Sequence, residues 1–254
     1  MTIFNREQLR INQIKAQDDF NRYSFFHNEI AARMIENIEL MGDRKLDNVL
    51  ELGVIEPVLR NKLTTSKITK TSIFYNKKTD LICDDEFLPF KANSFDLVFS
   101  NLNMQFINEI PQFLLQIKEV LKPNGIFIAS FFGEENLREL NHIIQLSENE
   151  IYGGISPRLP PTIDVKTAAM LLQKSGFKNP VSSLEKIMIS YKEPLSLLKD
   201  LKNMALGNIL RKKSQRFFSG KLLQRLIENY QNLYKNKNGE IQAQFEVIII
   251  SGQK

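Results

Sequence analysis

The sequence predicts an α/β domain with a mostly parallel sheet and helices on both faces, and three consecutive segments carry this prediction. Residues 94–101 form a near-continuous apolar run, which is typical of a strand buried on both faces. Residues 107–121 repeat apolar side chains at helical spacing, and a Pro and Gly turn at 122–125 leads into a second apolar run at 126–132. This alternation favours parallel strands joined by a right-handed crossover.

Helices and a first strand are predicted upstream of this unit. Residues 5–46 repeat apolar side chains at helical spacing, so we expect two helices there. Residues 48–53 are a short apolar run that ends at Gly53 and reads as a strand. Pro57 suits the first turn of a short helix that would end near residue 63.

Two brief strands are predicted next, at residues 71–76 and 80–84. The most apolar runs are those at 48–53 and 94–101, and they flank the expected switch in strand order. We therefore expect these two strands to pair directly.

Downstream of residue 132 the sequence alternates helical and extended patterns. The predicted elements are a helix at 134–151, a Gly- and Pro-rich loop at 153–161, a helix from Asp164 to Gly176, a strand at 187–191, two helices that end near residue 234, and a strand at 243–251. The last strands are expected to form an antiparallel edge. Structured loops such as 153–161 often cover a site.

The composition bounds the class of protein. The chain has 254 residues, 43% of them hydrophobic, and a formal net charge of +5, as in ordinary globular proteins. Its single cysteine, Cys83, and its two histidines, His27 and His142, exclude an internal disulfide and a Cys/His metal cluster. No apolar run reaches the length of a membrane helix, and the first residues are polar. We therefore expect a cytoplasmic protein without a stable membrane insertion.

One cluster of basic residues interrupts an otherwise dispersed charge pattern, namely Arg211, Lys212, Lys213 and Arg216. It is interpreted as a solvated helix end. A contact with nucleic acid or with an acidic protein is the alternative. Nucleic-acid base methylation has little support, because Leu102 follows Asn101 where an Asn-Pro-Pro-Tyr type of motif would continue.

Acidic residues follow the predicted strand at 80–84, at the edge where doubly wound sheets bind ligands. An adenine ring needs an acceptor for its exocyclic amine, a backbone N–H for a ring nitrogen and an apolar wall. Asp84, the amide of Asp85 and the ring of Phe87 meet that need. The alternative is an acidic surface turn that ends at Pro89.

Several motifs resemble one family. They are 85–91 (DEFLPFK), 109–111 (EIP), 121–125 (LKPNG), 132–133 (FG) with 137–140 (LREL), 153–157 (GGISP) and 238–239 (NG). Together they are similar to the methyltransferase-like assembly factors of respiratory complex I and their bacterial relatives, within the class I S-adenosylmethionine-dependent methyltransferases. The resemblance covers residue 46 to the C-terminus.

The resemblance implies a Rossmann-like fold with a seven-stranded, mostly parallel sheet and an antiparallel edge. It implies one domain, with N-terminal helices at 1–46, a cofactor-site core at 47–133, and helical insertions and final strands at 134–254. Family members are associated with hydroxylation of an arginine in a complex I subunit. The fold is also similar to malonyl-carrier-protein methyltransferases, whose fourth strand ends in a segment resembling 101–106, which adds Asn101 to the implied cofactor site.

The sequence departs from the family at the cofactor loop. The acid and first glycine of the family's turn fall on Glu51 and Gly53, but the next two glycine positions fall on Ile55 and Pro57. Glycine tolerates positive φ, whereas a β-branched residue there costs roughly 1–2 kcal/mol. The acid that would hold the ribose hydroxyls is replaced by Asn76.

Two functions follow from these observations. The first is an S-adenosylmethionine-dependent methyltransferase-fold protein acting on a protein substrate, such as a complex I subunit, with its cofactor held by Glu51, Gly53, Asn76, Asp84, Asp85, Phe87 and Asn101. The second is a non-catalytic assembly or binding module that has lost the cofactor, with residues 153–161 and the segment near Arg211 as its working surfaces. No catalytic residue is assigned by the sequence.

Overall fold

A computed structural model describes residues 2–42, 44–59, 62–63, 65–212 and 218–254. Within these ranges the chain forms a seven-stranded sheet with the order β3-β2-β1-β4-β5-β7-β6. The strands are β1 Leu46–Leu52, β2 Thr65–Ser72, β3 Leu81–Ile82, β4 Phe95–Ser100, β5 Leu121–Phe132, β6 Lys178–Tyr191 and β7 Ile241–Gln253. The first five strands are parallel, and β7 runs antiparallel to both β5 and β6. The predicted mostly parallel sheet with an antiparallel edge is confirmed.

Helices cover both faces of the sheet. They are α1 Arg6–Ala16, α2 Phe20–Tyr23, α3 Phe25–Glu39, α4 Ile110–Val120, α5 Arg138–Tyr152, α6 Val165–Lys174, α7 Pro194–Asn203 and α8 Gly220–Tyr234. Apolar residues of α3, α5 and α8 share one buried cluster with the sheet. Those of α4 and α6 share a second cluster on the opposite face. Among the described residues, no helix is both long enough and apolar enough to span a bilayer.

The expected pairing of the two most apolar strands is confirmed. In β1 and β4, Val49 lies opposite Leu97 and Leu52 lies opposite Ser100, in parallel. The carboxyl ends of β1 and β4 therefore reach the same edge of the sheet. In this fold class a ligand is expected at that edge.

Two predictions around this edge are wrong. The described residues between Gly53 and Leu63 are turns and bends instead of a short helix. The second strand is Thr65–Ser72 instead of 71–76, because its alternating Thr and Lys side chains give a weak apolar signal. Ile73 and Phe74, which suggested the later strand, pack beyond its end in a small apolar cluster.

Other boundaries also differ. The N-terminal segment forms three helices instead of two, and the strand predicted at 187–191 extends over Lys178–Tyr191. That strand is at the sheet edge, where half-exposed polar residues hide the strand pattern. Of the basic cluster, Arg211 and Lys212 lie in an exposed turn, whereas Lys213 and Arg216 lie outside the described residues.

Candidate functional site

Glu51 is at the end of β1, and its carboxyl group is buried. The backbone N–H of Val58 donates to its Oε1 atom at 2.8 Å. Burial raises the pKa of this carboxyl from 4.5 to about 7, although the backbone N–H groups of Val58 and Leu59 lower it in part. The buried Glu51 carboxyl therefore anchors the loop after β1 through its hydrogen bond with the backbone of Val58.

Gly53 follows with a positive φ of 66°, which suits glycine. A Cβ atom at this position would overlap the side-chain amide of Asn103, which lies after β4. The Asn103 amide in turn donates to Oδ2 of the buried Asp85 at 2.6 Å. The space beside Gly53 is therefore filled by a side chain of this protein.

Asp85 carries a perturbed carboxyl group. Burial raises its pKa from 3.8 to about 6, while the nearby Arg6 and the hydrogen bond from Asn103 lower it in part. Its Oδ1 atom is buried without a hydrogen-bond partner among the described residues. Asp85 faces the protein interior, at the turn that follows β3.

Asp84 pairs with Arg6 of α1. The guanidinium donates to Oδ1 at 2.5 Å through Nη2 and to Oδ2 at 3.3 Å through Nε. It also donates to the carbonyl of Phe106 at 3.2 Å. The carboxylate that the sequence assigns to an adenine amine is engaged by the protein itself. Phe87 lies outside this arrangement, with a relative exposure of 70%.

Asn76 and Asn101 both support the backbone. The Nδ2 atom of Asn76 donates to the carbonyl of Ile55 at 2.8 Å, and its Oδ1 accepts from the amide of Lys78. The Nδ2 atom of Asn101 donates to the carbonyl of His27 at 2.9 Å. Burial lowers the pKa of His27 to about 4, which keeps its ring neutral near pH 7.

An apolar plug lies beside these residues, formed by Ala16, Phe20, Ile55, Phe74 and Ala205. Phe20 and Phe74 are almost fully buried in it. The cavity left between the loop after β1, the end of β4 and the N-terminal helices measures about 30 Å³. Pockets for cofactor-sized ligands measure roughly 300–1,000 Å³.

A larger cleft of about 910 Å³ opens beyond the end of β5. Its described lining comes from the Gly- and Pro-rich loop, α5, the N-terminal residues and the turn near Arg211. The lining includes Ile3, Gln105, Glu134, Asn136, Asn141, Gln145, Ile155, Arg158, Arg211 and Lys212. The sequence singled out this loop and the Arg211 segment as surfaces. It did not predict that they face one cleft.

The loop is held by a buried ion pair that the sequence did not reveal. The Glu148 side chain is fully buried on α5, and its Oε1 lies 2.6 Å from Nη2 of Arg158. Its Oε2 accepts from the backbone amide of Ser156 at 2.7 Å. A lone Glu in an amphipathic helix gives no signal of burial. Within the described residues, no group of three or more His, Cys, Asp and Glu side chains is placed to hold a metal ion.

Comparisons with known proteins agree with this architecture. A methyltransferase domain family model matches residues 57–129. The arginine-hydroxylase NDUFAF5, mitochondrial, of Danio rerio is 30% identical over all of this chain and 83% of its own length. The Mus musculus protein of that name is also 30% identical, over 78% of its length. The YcgJ protein structure from Bacillus subtilis has a TM-score of 0.56 at 12% identity, covering 88% of this chain and 98% of that one.

Proposed function

Since the chain belongs to the NDUFAF5 family of methyltransferase-fold proteins, we propose that it is a non-catalytic module that binds a protein during assembly of a complex I type of enzyme. One observation carries the proposal. At the edge where this fold class binds its cofactor, the cavity between the loop after β1 and the end of β4 measures only about 30 Å³, beside the plug of Phe20, Ile55 and Phe74. A separate cavity of about 530 Å³ also touches Glu51, but charged side chains make up most of its lining.

The residues at that edge do not fit S-adenosylmethionine. Three positions that the family uses for this cofactor already have partners within the chain. Asp84 binds Arg6, the amide of Asn76 binds the carbonyl of Ile55, and the space beside Gly53 holds Asn103. These contacts, together with the apolar plug beside them, occupy groups that a cofactor would need. No methyl transfer is therefore assigned to this site.

The larger cleft supports a protein as the partner. Its volume of about 910 Å³ exceeds what one side chain fills, and the ion pair of Glu148 with Arg158 holds the loop that lines it. A wall fixed in advance reduces the entropy lost on binding. The family makes a complex I subunit the expected partner, and we propose that the two proteins meet in the cytoplasm.

A methyltransferase acting on a protein is the second candidate. It is favoured by the family model over residues 57–129 and by the retention of Glu51 and of Gly53 with its positive φ. This candidate requires the plug to open when the cofactor arrives.

Calorimetric titration of the whole chain with S-adenosylmethionine and with S-adenosylhomocysteine separates the two candidates. We expect no saturable heat with either ligand, because the apolar plug fills the space beside Gly53 and the candidate cofactor groups already have partners within the chain. The matched control is the Arg6→Ala variant, which frees Asp84 but leaves Phe20 and Phe74 in place, so it should also give no heat. Saturable binding to the unmodified chain with a Kd tighter than about 100 μM would refute the non-catalytic assignment.

A further inference from the structure

The large cleft combines apolar and amide groups along its walls. Ile3 and Ile155 are 44% and 63% exposed. Gln105, Asn136, Asn141 and Gln145 add four carboxamides to the described lining. Carboxamides both donate and accept hydrogen bonds, as the peptide backbone does. This mixture suits an extended polypeptide, whose apolar side chains would pack on the two isoleucines and whose backbone would hydrogen-bond to the carboxamides.

One of these amides has an unused acceptor. The Nε2 atom of Gln105 donates to the carbonyl of Leu102 at 2.6 Å, which fixes the side chain. Its Oε1 atom is buried and has no hydrogen-bond partner among the described residues. A buried acceptor left unpaired costs roughly 1–3 kcal/mol. Gln105 therefore shapes the wall of the cleft through a fixed side chain, and its buried acceptor is closed to a ligand in the cleft.

The charge of the lining is unbalanced. Arg211 and Lys212 are exposed at one side, and Glu134 is the single acid among the described lining residues. The third cation, Arg158, is already neutralised by the buried Glu148. Such a rim attracts an acidic partner.

From these groups we infer that the cleft binds an extended, acidic segment of a partner protein. The inference rests on the proposed function and specifies the partner's chemistry. The partner's acidic side chains lie at the rim, against Arg211 and Lys212, and its apolar side chains lie against Ile3 and Ile155.

A nucleic acid fits the same groups less well. Single-stranded nucleic acids are held by aromatic side chains that stack on the bases. The chain has no Trp, and Phe132, the aromatic residue in the described lining, is only 8% exposed. The lining offers amides and aliphatic groups where bases would need rings.

The test uses an immobilised set of short synthetic peptides probed with the whole chain. Three sets of peptides share Val, Ile or Leu at alternate positions. The remaining positions hold Asp and Glu in the acidic set, Asn and Gln in the amide set, and Lys and Arg in the basic set. We expect retention on the acidic set to exceed that on the isosteric amide set by about tenfold. A fluorescent uridine oligonucleotide is the nucleic-acid probe and should bind far more weakly.

Two variants locate the binding. The double variant Arg211→Glu, Lys212→Glu should abolish the preference for acidic peptides. The control is the double variant Lys174→Glu, Lys192→Glu, which changes the net charge by the same amount at exposed positions outside the described lining and should keep the preference. Gln145→Trp should block the cleft and remove all retention, whereas Gln145→Ala should retain binding.

The remaining outcomes contradict either the acidic preference or the peptide site itself. Equal retention of the acidic and amide sets, a preference for the basic set, or an equal effect of the two charge variants overturns the acidic preference. If the acidic preference is absent but the Gln145→Trp variant still loses binding, the cleft remains the peptide-binding site and only its charge preference is wrong. Retention of no peptide class, or tight binding of the oligonucleotide alone, overturns the peptide site itself.

Discussion

The guanidinium of Arg6 and the carboxylate of Asp84 lie 2.5 Å apart, although 78 residues separate them in the sequence. This pair ties α1 to the turn after β3. Because Arg6 is largely buried and Asp84 is partly buried, we expect Arg6→Ala to lower the free energy of unfolding by roughly 1–3 kcal/mol. Urea denaturation measures the change. Arg10→Ala, which removes an exposed pair with Glu7, is the control and should leave the midpoint unchanged.

The packing of Asn103 on Gly53 predicts a coupled pair. Gly53→Ala should destabilise by more than the roughly 1–2 kcal/mol that its positive φ costs alone, because the new Cβ meets the Asn103 amide. In an Asn103→Ala background only the backbone cost should remain. A double-mutant cycle by denaturation measures the difference. Strict additivity of the two changes would show that the residues do not touch.

Glu51 should make stability depend on pH. The unfolded chain releases this proton near pH 4.5, whereas the folded protein holds it to a pKa of about 7, so the folded state binds more protons in that window. The contribution of Glu51 to stability therefore falls as the pH rises from about 4.5 to 7, whereas the lowered pKa of His27 contributes a change of opposite sign. Glu51→Gln should be more stable than the parent at about pH 8, by at most about 3 kcal/mol, and equal to it near pH 4.

Denaturation across that pH range provides the measurement. Glu109→Gln, at an exposed position, serves as the control and should follow the parent curve. The difference in unfolding free energy between the parent and Glu51→Gln isolates this carboxyl from His27, and a difference that does not change between about pH 4 and about pH 8 would show that the Glu51 carboxyl is not buried as described. Burial also raises the pKa of Asp85, to about 6. This carboxyl should therefore contribute a smaller fall in stability with rising pH to the Glu51→Gln variant.

Restoring the family's residues in the loop should not restore cofactor binding. The triple variant Ile55→Gly, Pro57→Gly and Asn76→Asp would gain at least about tenfold in affinity if these residues alone closed the site. Phe20, Phe74 and Ala205 fill the same edge from other segments, and an Asp at 76 cannot donate to the carbonyl of residue 55. We therefore expect no heat from S-adenosylhomocysteine. A saturable titration would show that the loop was the barrier.

The buried carboxylate of Glu148 should control the loop at 153–161. Glu148→Ala removes the buried carboxylate that pairs with Arg158 and should cost roughly 3–5 kcal/mol, whereas Glu148→Gln, which retains an acceptor for the Ser156 amide, should cost less. Limited proteolysis should cut this loop faster in the Ala variant. An unchanged cleavage rate in both variants would show that the ion pair does not hold the loop.

The central strands were predictable because burial on both faces leaves a long apolar run. The run at 94–101 became β4 at Phe95–Ser100, next to β1, as expected. β2 was misplaced because Lys67 and Lys70 interrupt its apolar pattern. Phe74 then gave a strand-like signal, although its burial comes from tertiary packing with Phe20. Local pattern does not report which distant segment covers a residue.

The candidate site was only partly predictable for the same reason. The resemblance to the family brought Glu51, Gly53 and Asp84 to one edge of the sheet. Asp84 pairs with Arg6, and Asn103 fills the space beside Gly53. Neither contact could be predicted from the spacing of these residues in the sequence. Motifs identify which positions meet, whereas side-chain packing decides whether any space remains between them.

The order of the last strands also has a consequence for biosynthesis. β7 lies between β5 and β6, so β6 is translated before the strand that is to separate it from β5. Until residues 241–253 emerge from the ribosome, the edge of β5 is unpaired and β6 has no neighbour. Unpaired strand edges promote aggregation of nascent chains. A pause in translation between β6 and β7 would prolong this exposure, and a chaperone would act most usefully in that interval.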